Sequence, residues 1–146
     1  MVIALFGDSC TGKSTIAKKI AESLSLEIYS GKDYLRLAKN ENEAIALFKK
    51  KLSSEEMLIY VITEKSQLVF LPESCIRILI TASLETIKER FAVRMHGNLS
   101  APVATMLERK YGQFEKEAHD LRIDTEKTPV EEAVKSIMLL IDGKNK

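Results

Sequence analysis

The chain has 146 residues, of which 22 are basic and 21 acidic, so its formal net charge is only +1. This balance excludes the global positive field that draws proteins to nucleic acid or to an anionic membrane, and it favours a small polar ligand. The length fits one domain with a real core, so any substrate-binding part must be a short insertion.

Segments that would direct the protein to a membrane or to secretion are missing from the sequence. No apolar stretch is long enough to cross a bilayer, and the apolar N-terminal residues have no charged segment before them. The cysteines Cys10 and Cys75 have neither disulfide-framework nor metal-ligand spacing. We therefore expect a cytoplasmic protein with reduced thiols and with no nucleic-acid or membrane partner. The sequence does not indicate an oligomeric state.

The first predicted element is a buried strand from Val2 to Phe6 that runs into a glycine-containing loop. Residues 7–14 read Gly-Asp-Ser-Cys-Thr-Gly-Lys-Ser and match the pattern G-x-x-x-x-G-K-[ST]. A helix is predicted next, because apolar residues recur on one face: Ile16, Ala17, Ile20, Ala21 and Leu24. Strand, loop and helix in this order are the context of a phosphate-binding P-loop, whereas a chance glycine turn needs no such context.

The residue types of this loop suit nucleotide phosphates and Mg²⁺. Gly7 and Gly12 let the backbone approach phosphate oxygens, and Lys13 brings a mobile charge to the β- and γ-phosphates. The Ser14 hydroxyl is the predicted Mg²⁺ ligand. Cys10 has two interpretations, a reactive thiol at a helix N-terminus or a small residue that fills the loop, and we favour the second. The predicted ATP-binding residues are those of the loop and first helical turn: Gly7, Asp8, Ser9, Cys10, Thr11, Gly12, Lys13, Ser14 and Thr15.

The next part of the chain contains one ambiguous element. A second short strand is predicted from Leu26 to Tyr29, followed by a helix-compatible stretch from about Asp33 to Leu52. Ser53 and Glu56 then have the spacing of a capping box, which would begin another helix. The unbroken apolar run from Met57 to Ile62 instead favours a buried parallel strand, and we choose the strand.

The second half of the chain predicts more alternation of strands and helices. A strand from Ile76 to Thr81 precedes a helix that Ser83 caps and that ends near Met95. Residues 97–102 interrupt the helical pattern, which then resumes through Phe114, so this region is predicted to be a helix–loop–helix flap.

The last predicted elements are a strand and a terminal helix. The strand covers Leu121 to Ile123, and Thr128 caps a helix that has Pro129 at its first position and Glu131 three residues after the cap. Strands that alternate with helices predict the α/β class, as a parallel five-stranded sheet with flanking helices and a ligand at the carboxyl ends of the strands.

Three stretches, residues 7–15, 89–94 and 120–132, carry a resemblance to a known family. The chain resembles the small P-loop kinases of the nucleoside monophosphate kinase and shikimate kinase group, with a cytidylate-kinase-like last turn. GTPase motifs of the form Asp-x-x-Gly and Asn-Lys-x-Asp are absent. The resemblance implies one P-loop NTPase-fold domain over residues 1–146, with an acceptor-binding segment at about 32–56 and a short helical lid at about 90–110.

The resemblance also implies that arginines of the lid stabilise charge on the transferred phosphoryl group. Arg90 and Arg94 are four residues apart, so they share one face of the predicted helix, although surface pairs with neighbouring acidic residues are the alternative. Arg109 stands in the second flap helix, where the family commonly carries a further phosphate-facing arginine, and Lys110 could take that role instead.

The acceptor side is predicted from fewer residues. By resemblance, Asp33 faces the acceptor hydroxyl or the metal water, with a simple helix N-terminal acid as the alternative. Arg36 would clamp an anionic acceptor or be solvated. Glu64 would hold a Mg²⁺-bound water or be an ordinary strand-end carboxylate. The chain has Thr63-Glu64-Lys65 where shikimate kinases usually have a glycine triplet, which makes shikimate a poor candidate.

The loop motif, together with the resemblance to the small P-loop kinases, predicts an ATP- and Mg²⁺-dependent kinase that transfers the γ-phosphoryl group to a small acceptor, with a nucleotide as the expected acceptor. The alternatives are a nucleotide-binding regulatory module without acceptor-dependent turnover, a slow ATPase, and a shikimate-kinase-like enzyme for a non-nucleotide metabolite. Acceptor-dependent consumption of ATP distinguishes the kinases from the other two.

Overall fold

The structure is a computed structural model that describes residues 1–144. A parallel sheet of five strands forms the centre of the molecule. The strands are β1 (Val2–Phe6), β2 (Glu27–Ser30), β3 (Leu58–Ile62), β4 (Cys75–Thr81) and β5 (Leu121–Asp124), in the spatial order β2-β3-β1-β4-β5. The helices are α1 (Lys13–Leu24), α2 (Glu41–Leu52), α3 (Leu84–Arg94), α4 (Ala101–Lys110) and α5 (Val130–Lys144). The predicted α/β class and parallel sheet are confirmed.

The central strand β1 sends alternate side chains into two cores on opposite faces of the sheet. Ile3 and Leu5 join a cluster with α1 and α5, whereas Val2 and Phe6 join a cluster with α2. All five residues of β1 are fully buried, as expected for a strand in the middle of a parallel sheet that helices cover on both faces.

The choice of a strand after Ser53 is confirmed, because β3 pairs in parallel with both β1 and β2. Ser53 has another role: its N–H donates to the Lys49 carbonyl, 3.2 Å away, and closes α2. The serine therefore ends one helix rather than beginning the next.

The helix-compatible stretch predicted from about Asp33 to Leu52 is divided into two helices in the structure. A short 3₁₀ helix covers Asp33–Leu37, and α2 begins only at Glu41. Asn40 causes the separation, because its backbone is extended and its side-chain oxygen accepts a hydrogen bond from the Glu43 N–H at 3.2 Å.

The last two helices also differ from the prediction, α4 in where it ends and α5 in where it begins. α4 stops at Lys110, two residues before Gly112 with its positive φ of 77°, so the pattern does not continue to Phe114. Phe114 instead lies in the core, with its ring 5.7 Å from that of Phe6. α5 begins at Val130, and the Pro129 carbonyl accepts its first hydrogen bond, one residue later than predicted.

The helix–loop–helix formed by α3 and α4, called the lid below, is present where the sequence predicts a flap. Ser83 caps α3 as predicted, since its side chain accepts from the Thr86 N–H. No helix within residues 1–144 combines the length and the apolar character that a membrane span requires.

Candidate active site

The glycine loop lies at the carboxyl end of β1, between the ends of β3 and β4. The Gly7 N–H donates to the Ile62 carbonyl of β3 at 3.2 Å. On the other side, a Cβ built on Gly7 would stand only 2.1 Å from the Ile80 carbonyl oxygen of β4. Only glycine fits this gap, so the two neighbouring strands fix the start of the loop.

Two residues turn the loop back toward α1. Cys10 and Gly12 have positive φ angles of 62° and 102°, and α1 begins directly after Gly12. The positive end of the α1 dipole and its free N–H groups therefore face the loop, an arrangement that attracts anions. The left-handed backbone of Cys10 is a conformation that glycine adopts more readily than any other residue.

This conformation predicts a difference between two glycine substitutions. Ser25, the C-cap of α1, is also left-handed, with φ of 55°. We expect Ser25→Gly to raise the free energy of unfolding by about 0.5–1 kcal/mol, since glycine adopts this conformation without steric cost. Cys10→Gly should gain less, because the Cys10 side chain packs against the apolar cluster under the lid. Urea unfolding measures both, and a lower stability of Ser25→Gly would contradict the prediction.

Lys13 is buried directly below the loop. Its Nζ donates to the carbonyl oxygens of Gly7 at 2.8 Å and of Asp8 at 2.6 Å. Only 5% of the residue is exposed, and this burial lowers its pKa to about 8, although the charge of Asp8 acts in the opposite direction. The site thus holds a poorly solvated cation that gains from an anionic ligand.

Three cavities surround the loop. The first, the loop cavity of about 160 Å³, is lined by Ser9, Cys10, Gly12, Lys13, Ser14, Thr15, Thr63 and Arg94. The second, the turn cavity of about 310 Å³, is lined by Cys10, Gly12, Thr15, Ile16, Arg90, Arg94, Thr125, Thr128 and Val130. The third, the lid cavity of about 230 Å³, is lined by Asp8, Ser9, Thr63, Glu64, Ile87, Phe91, Met106, Leu107, Lys110, Tyr111 and Gln113.

Shared walls arrange these cavities in a row. The turn and loop cavities share four residues: Cys10, Gly12, Thr15 and Arg94. The loop and lid cavities share Ser9 and Thr63. The loop cavity, with Lys13 in its wall, therefore adjoins both larger cavities, and it meets each of them through different residues.

The two lid arginines have different environments. Arg90 donates from Nη1 to the Cys10 carbonyl at 3.1 Å and to Thr125 Oγ1 at 3.2 Å, rather than to the acidic residues beside it on α3. Thr125 in turn donates to the Thr11 carbonyl at 2.7 Å. Arg90 thus connects the lid, the loop and the turn after β5. Arg94 is more exposed and borders both the turn and the loop cavity.

A second set of hydrogen bonds holds the other end of the lid. The Asp8 carboxylate accepts from the Gly112 N–H at 3.0 Å and from Gln113 Nε2 at 3.2 Å. No sequence pattern predicts this link, because the donors lie 104 and 105 residues away from Asp8 in the chain. The loop and the lid are therefore joined on both sides.

The start of α3 is joined to the turn after β5. Glu126 accepts hydrogen bonds from the Ser83 N–H at 2.9 Å and from the Ser83 hydroxyl at 2.6 Å. These bonds lower the pKa of Glu126 to about 2. Stability from this contact is present above the ordinary carboxylate pKa and is lost as pH falls toward the lowered value.

The predicted acceptor residues do not gather in one place. The Asp33 carboxylate accepts from the Ser30 N–H at 2.8 Å and lines none of the three cavities. Arg36 lies over the Tyr29 ring, 4.5 Å from its centroid, and pairs at 3.3 Å with Glu27, the first residue of β2. Because Glu27 begins its strand, these contacts hold Arg36 toward the end of the sheet opposite to the loop.

The remaining candidates divide between two surroundings. Arg109 is exposed on α4 and lines none of the three cavities, whereas Lys110 lines the lid cavity. Glu64 also lines that cavity, at the end of β3. Asp33, Arg36 and Arg109 thus line none of the three cavities, and their catalytic and binding roles stay predictions.

Solved structures provide the comparison, since no family model and no curated protein matches the sequence. An uncharacterized protein from Eubacterium ventriosum superposes with a TM-score of 0.73 at 22% identity, covering 97% of this chain and 98% of that one. Shikimate kinase from Aquifex aeolicus gives 0.63 at 21% identity, covering 99% and 98%. The chain has the fold of the small P-loop kinases.

A further solved structure with this fold holds a nucleotide. The YorR protein from Bacillus subtilis, in complex with phosphorylated GDP, superposes with a TM-score of 0.69 at 23% identity, covering 97% of this chain and 96% of that one. At such identities the likeness concerns the fold, so the assignment of chemistry depends on the site described above.

Proposed function

We propose that this protein is an ATP- and Mg²⁺-dependent kinase that phosphorylates a small molecule. The observation that carries the proposal is the row of three cavities, in which the one beside Lys13 connects a cavity at the β5–α5 turn with a cavity under the lid. Phosphoryl transfer is mostly a matter of positioning and charge stabilisation, and it needs donor and acceptor on opposite sides of the transferred group.

The residues present fit a nucleoside triphosphate with its metal ion. The loop cavity supplies N–H groups at the start of α1, the Lys13 cation and the Ser14 hydroxyl, which are the donors expected for phosphates and Mg²⁺. The nucleoside would occupy the turn cavity. Bound Mg²⁺ would neutralise charge on the phosphate oxygens, and Ser14 is the residue of this chain that would hold it.

The chain's own residues divide the remaining work. Lys13 would bind the phosphates, and Arg94, at the border of the loop and turn cavities, would stabilise charge that develops during transfer. Arg90 would hold the lid against the loop through Cys10 and Thr125. A closed lid would exclude water and so limit hydrolysis of the triphosphate.

The expected acceptor is a nucleotide or a related metabolite, and the rival function is a nucleotide-binding module without turnover. A test incubates the protein and Mg-ATP with pooled nucleoside monophosphates, nucleosides, sugars and shikimate, and follows ADP formation and phosphorylated products by phosphorus NMR. The kinase predicts acceptor-dependent ADP and a new product. Tight ATP binding without product favours the module, and ADP formation that no acceptor changes indicates an ATPase.

Nucleotide binding should depend on pH through Lys13. Its pKa is about 8 in the protein alone, so the side chain is charged below that pH and neutral above it. Bound phosphates favour the charged form, so binding above about pH 8 should take up a proton, and the affinity should fall by up to about tenfold per pH unit. Calorimetry in buffers with different ionisation enthalpies measures this uptake, and an affinity that rises above this pH would contradict the assignment.

A further inference from the structure

We propose that the lid cavity is the acceptor site and that it takes a compact, uncharged molecule whose ring system carries the reacting hydroxyl, as a nucleoside does. This inference rests on the proposed function, since it concerns the acceptor of that reaction. It moves acceptor recognition away from the segment at 32–56 and onto the lid. Among nucleotides and related metabolites, it selects the uncharged nucleosides over their phosphates.

The position of the cavity supports an acceptor. It adjoins the loop cavity at Ser9 and Thr63, two residues that the turn cavity does not share. A molecule bound there can therefore present a hydroxyl to the terminal phosphate of a nucleotide whose base lies in the turn cavity. Its volume of about 230 Å³ is below the ~300–1,000 Å³ usual for ligand pockets, which favours a compact acceptor.

The wall of the cavity favours a ring with an apolar face. Ile87 and Phe91 come from α3, and Leu107 comes from α4, where they pack together in one apolar cluster. Phe91 and Tyr111 supply aromatic surface to the cavity. Aromatic side chains bind flat rings well, whereas a polyhydroxylated sugar would lose hydrogen bonds to water on such a wall.

The charges of the wall disfavour an anionic acceptor. Among the lining residues, Lys110 is the single cation, and it shares the wall with two carboxylates, Asp8 and Glu64. Bidentate arginine contacts are a frequent means of binding a phosphate monoester, yet no arginine lines this cavity, and Arg36 is paired with Glu27. A phosphate or carboxylate on the acceptor would therefore meet net negative charge.

The two carboxylates of the cavity wall, Asp8 and Glu64, also differ in their hydrogen-bond partners. Asp8 accepts hydrogen bonds from Gly112 and Gln113, whereas the Glu64 side chain makes no capping bond to the short 3₁₀ helix Lys65–Phe70 that follows it. We assign the acceptor proton to Glu64. The proton passes to this carboxylate as the acceptor oxygen forms a bond to the terminal phosphorus. The bond from that phosphorus to the bridging oxygen breaks, and its electron pair leaves on ADP.

The test compares nucleosides with their monophosphates, which differ in charge, and it compares tryptophan substitutions at two positions of the lid. The acceptors are ribo- and deoxyribonucleosides, each beside its own 5′-monophosphate, with shikimate and gluconate as anionic metabolites and glucose as a sugar. Met106→Trp places a large side chain in the lid cavity, at a residue that is 37% exposed and so tolerates the change. Met95→Trp is the matched control, at an exposed lid residue that lines none of the three cavities.

We expect transfer to at least one nucleoside to exceed transfer to its monophosphate by more than about tenfold, because the phosphate must enter a negatively charged wall. Met106→Trp should remove this transfer while ADP binding persists, Met95→Trp should retain both, and Glu64→Gln should lower kcat by about 10²-fold. The KM for ATP should stay unchanged in Glu64→Gln.

Preference for an anionic acceptor, or full transfer by Met106→Trp, would overturn the inference and leave the kinase intact. Absence of product from every nucleoside would also overturn it. If the protein in addition fails to bind Mg-ATP, the proposed function fails as well, so the two failures are distinguishable.

Discussion

Lys13→Met is expected to lower phosphoryl transfer by at least about 10³-fold and to abolish measurable Mg-ATP binding. The side chain is buried beneath the loop, and it lines the cavity that lies between the other two. Methionine keeps most of the apolar length of lysine but carries no charge, so the phosphates would lose their buried cation. Calorimetric titration with Mg-ATP and the initial rate of ADP formation measure the two effects.

Stability separates this loss from misfolding. Burial lowers the pKa of Lys13, which means that the folded state disfavours the charge, but methionine also removes the hydrogen bonds to the Gly7 and Asp8 carbonyls. Because these two effects oppose each other, we expect the free energy of unfolding to change by no more than about 1–3 kcal/mol and the protein to stay folded. Lys19→Met is the control, since Lys19 is exposed on the same helix. Normal ATP binding by a folded Lys13→Met protein would contradict the assignment of the loop.

Arg94→Ala is expected to lower kcat by about 10²-fold or more and to change stability little. The guanidinium group borders the turn and loop cavities from the exposed end of α3, so its loss removes charge stabilisation rather than packing. Arg90→Ala should behave differently. It breaks the bonds to Cys10 and Thr125 that hold the lid to the loop, so the KM for ATP and the unfolding transition should also change.

Steady-state kinetics with the acceptor found by NMR measure this difference. Lys135→Ala, at an exposed position on α5, is the control for removal of a surface charge. Unchanged kcat in Arg94→Ala, with an intact fold, would show that Arg94 is only a solvated surface residue. Other groups would then have to stabilise the charge on the transferred phosphoryl group.

Local patterns were sufficient for the sheet and the loop. β1 and β3 are unbroken apolar runs, which are typical of strands that are buried on both faces of a parallel sheet, and the glycine motif follows β1 directly. The break at Asn40 and the core position of Phe114 were missed because each depends on competition between segments. Asn40 caps the start of α2 and so separates this helix from the short helix before it. Phe114 packs on Phe6, which is far from it in the sequence.

The acceptor side was harder to predict for the same reason. Asp33 and Arg36 are close enough in the sequence to share one polar site, but each has a partner nearby in the chain. The Asp33 carboxylate accepts from the Ser30 N–H. The Arg36 guanidinium pairs with Glu27 and lies over the Tyr29 ring. The lid cavity combines residues from the loop, β3, α3 and α4. No short sequence pattern encodes such a set, because its members meet only through the tertiary fold.

A crystal structure with Mg²⁺ and a non-hydrolysable ATP analogue tests the central claim most directly. We expect the base beside Thr125 and Val130, the metal at Ser14, and the terminal phosphate between Ser9 and Thr63, facing the lid cavity. A terminal phosphate that points away from the lid cavity, or a base bound in that cavity, would contradict the row of donor, phosphate and acceptor sites on which the proposed kinase depends.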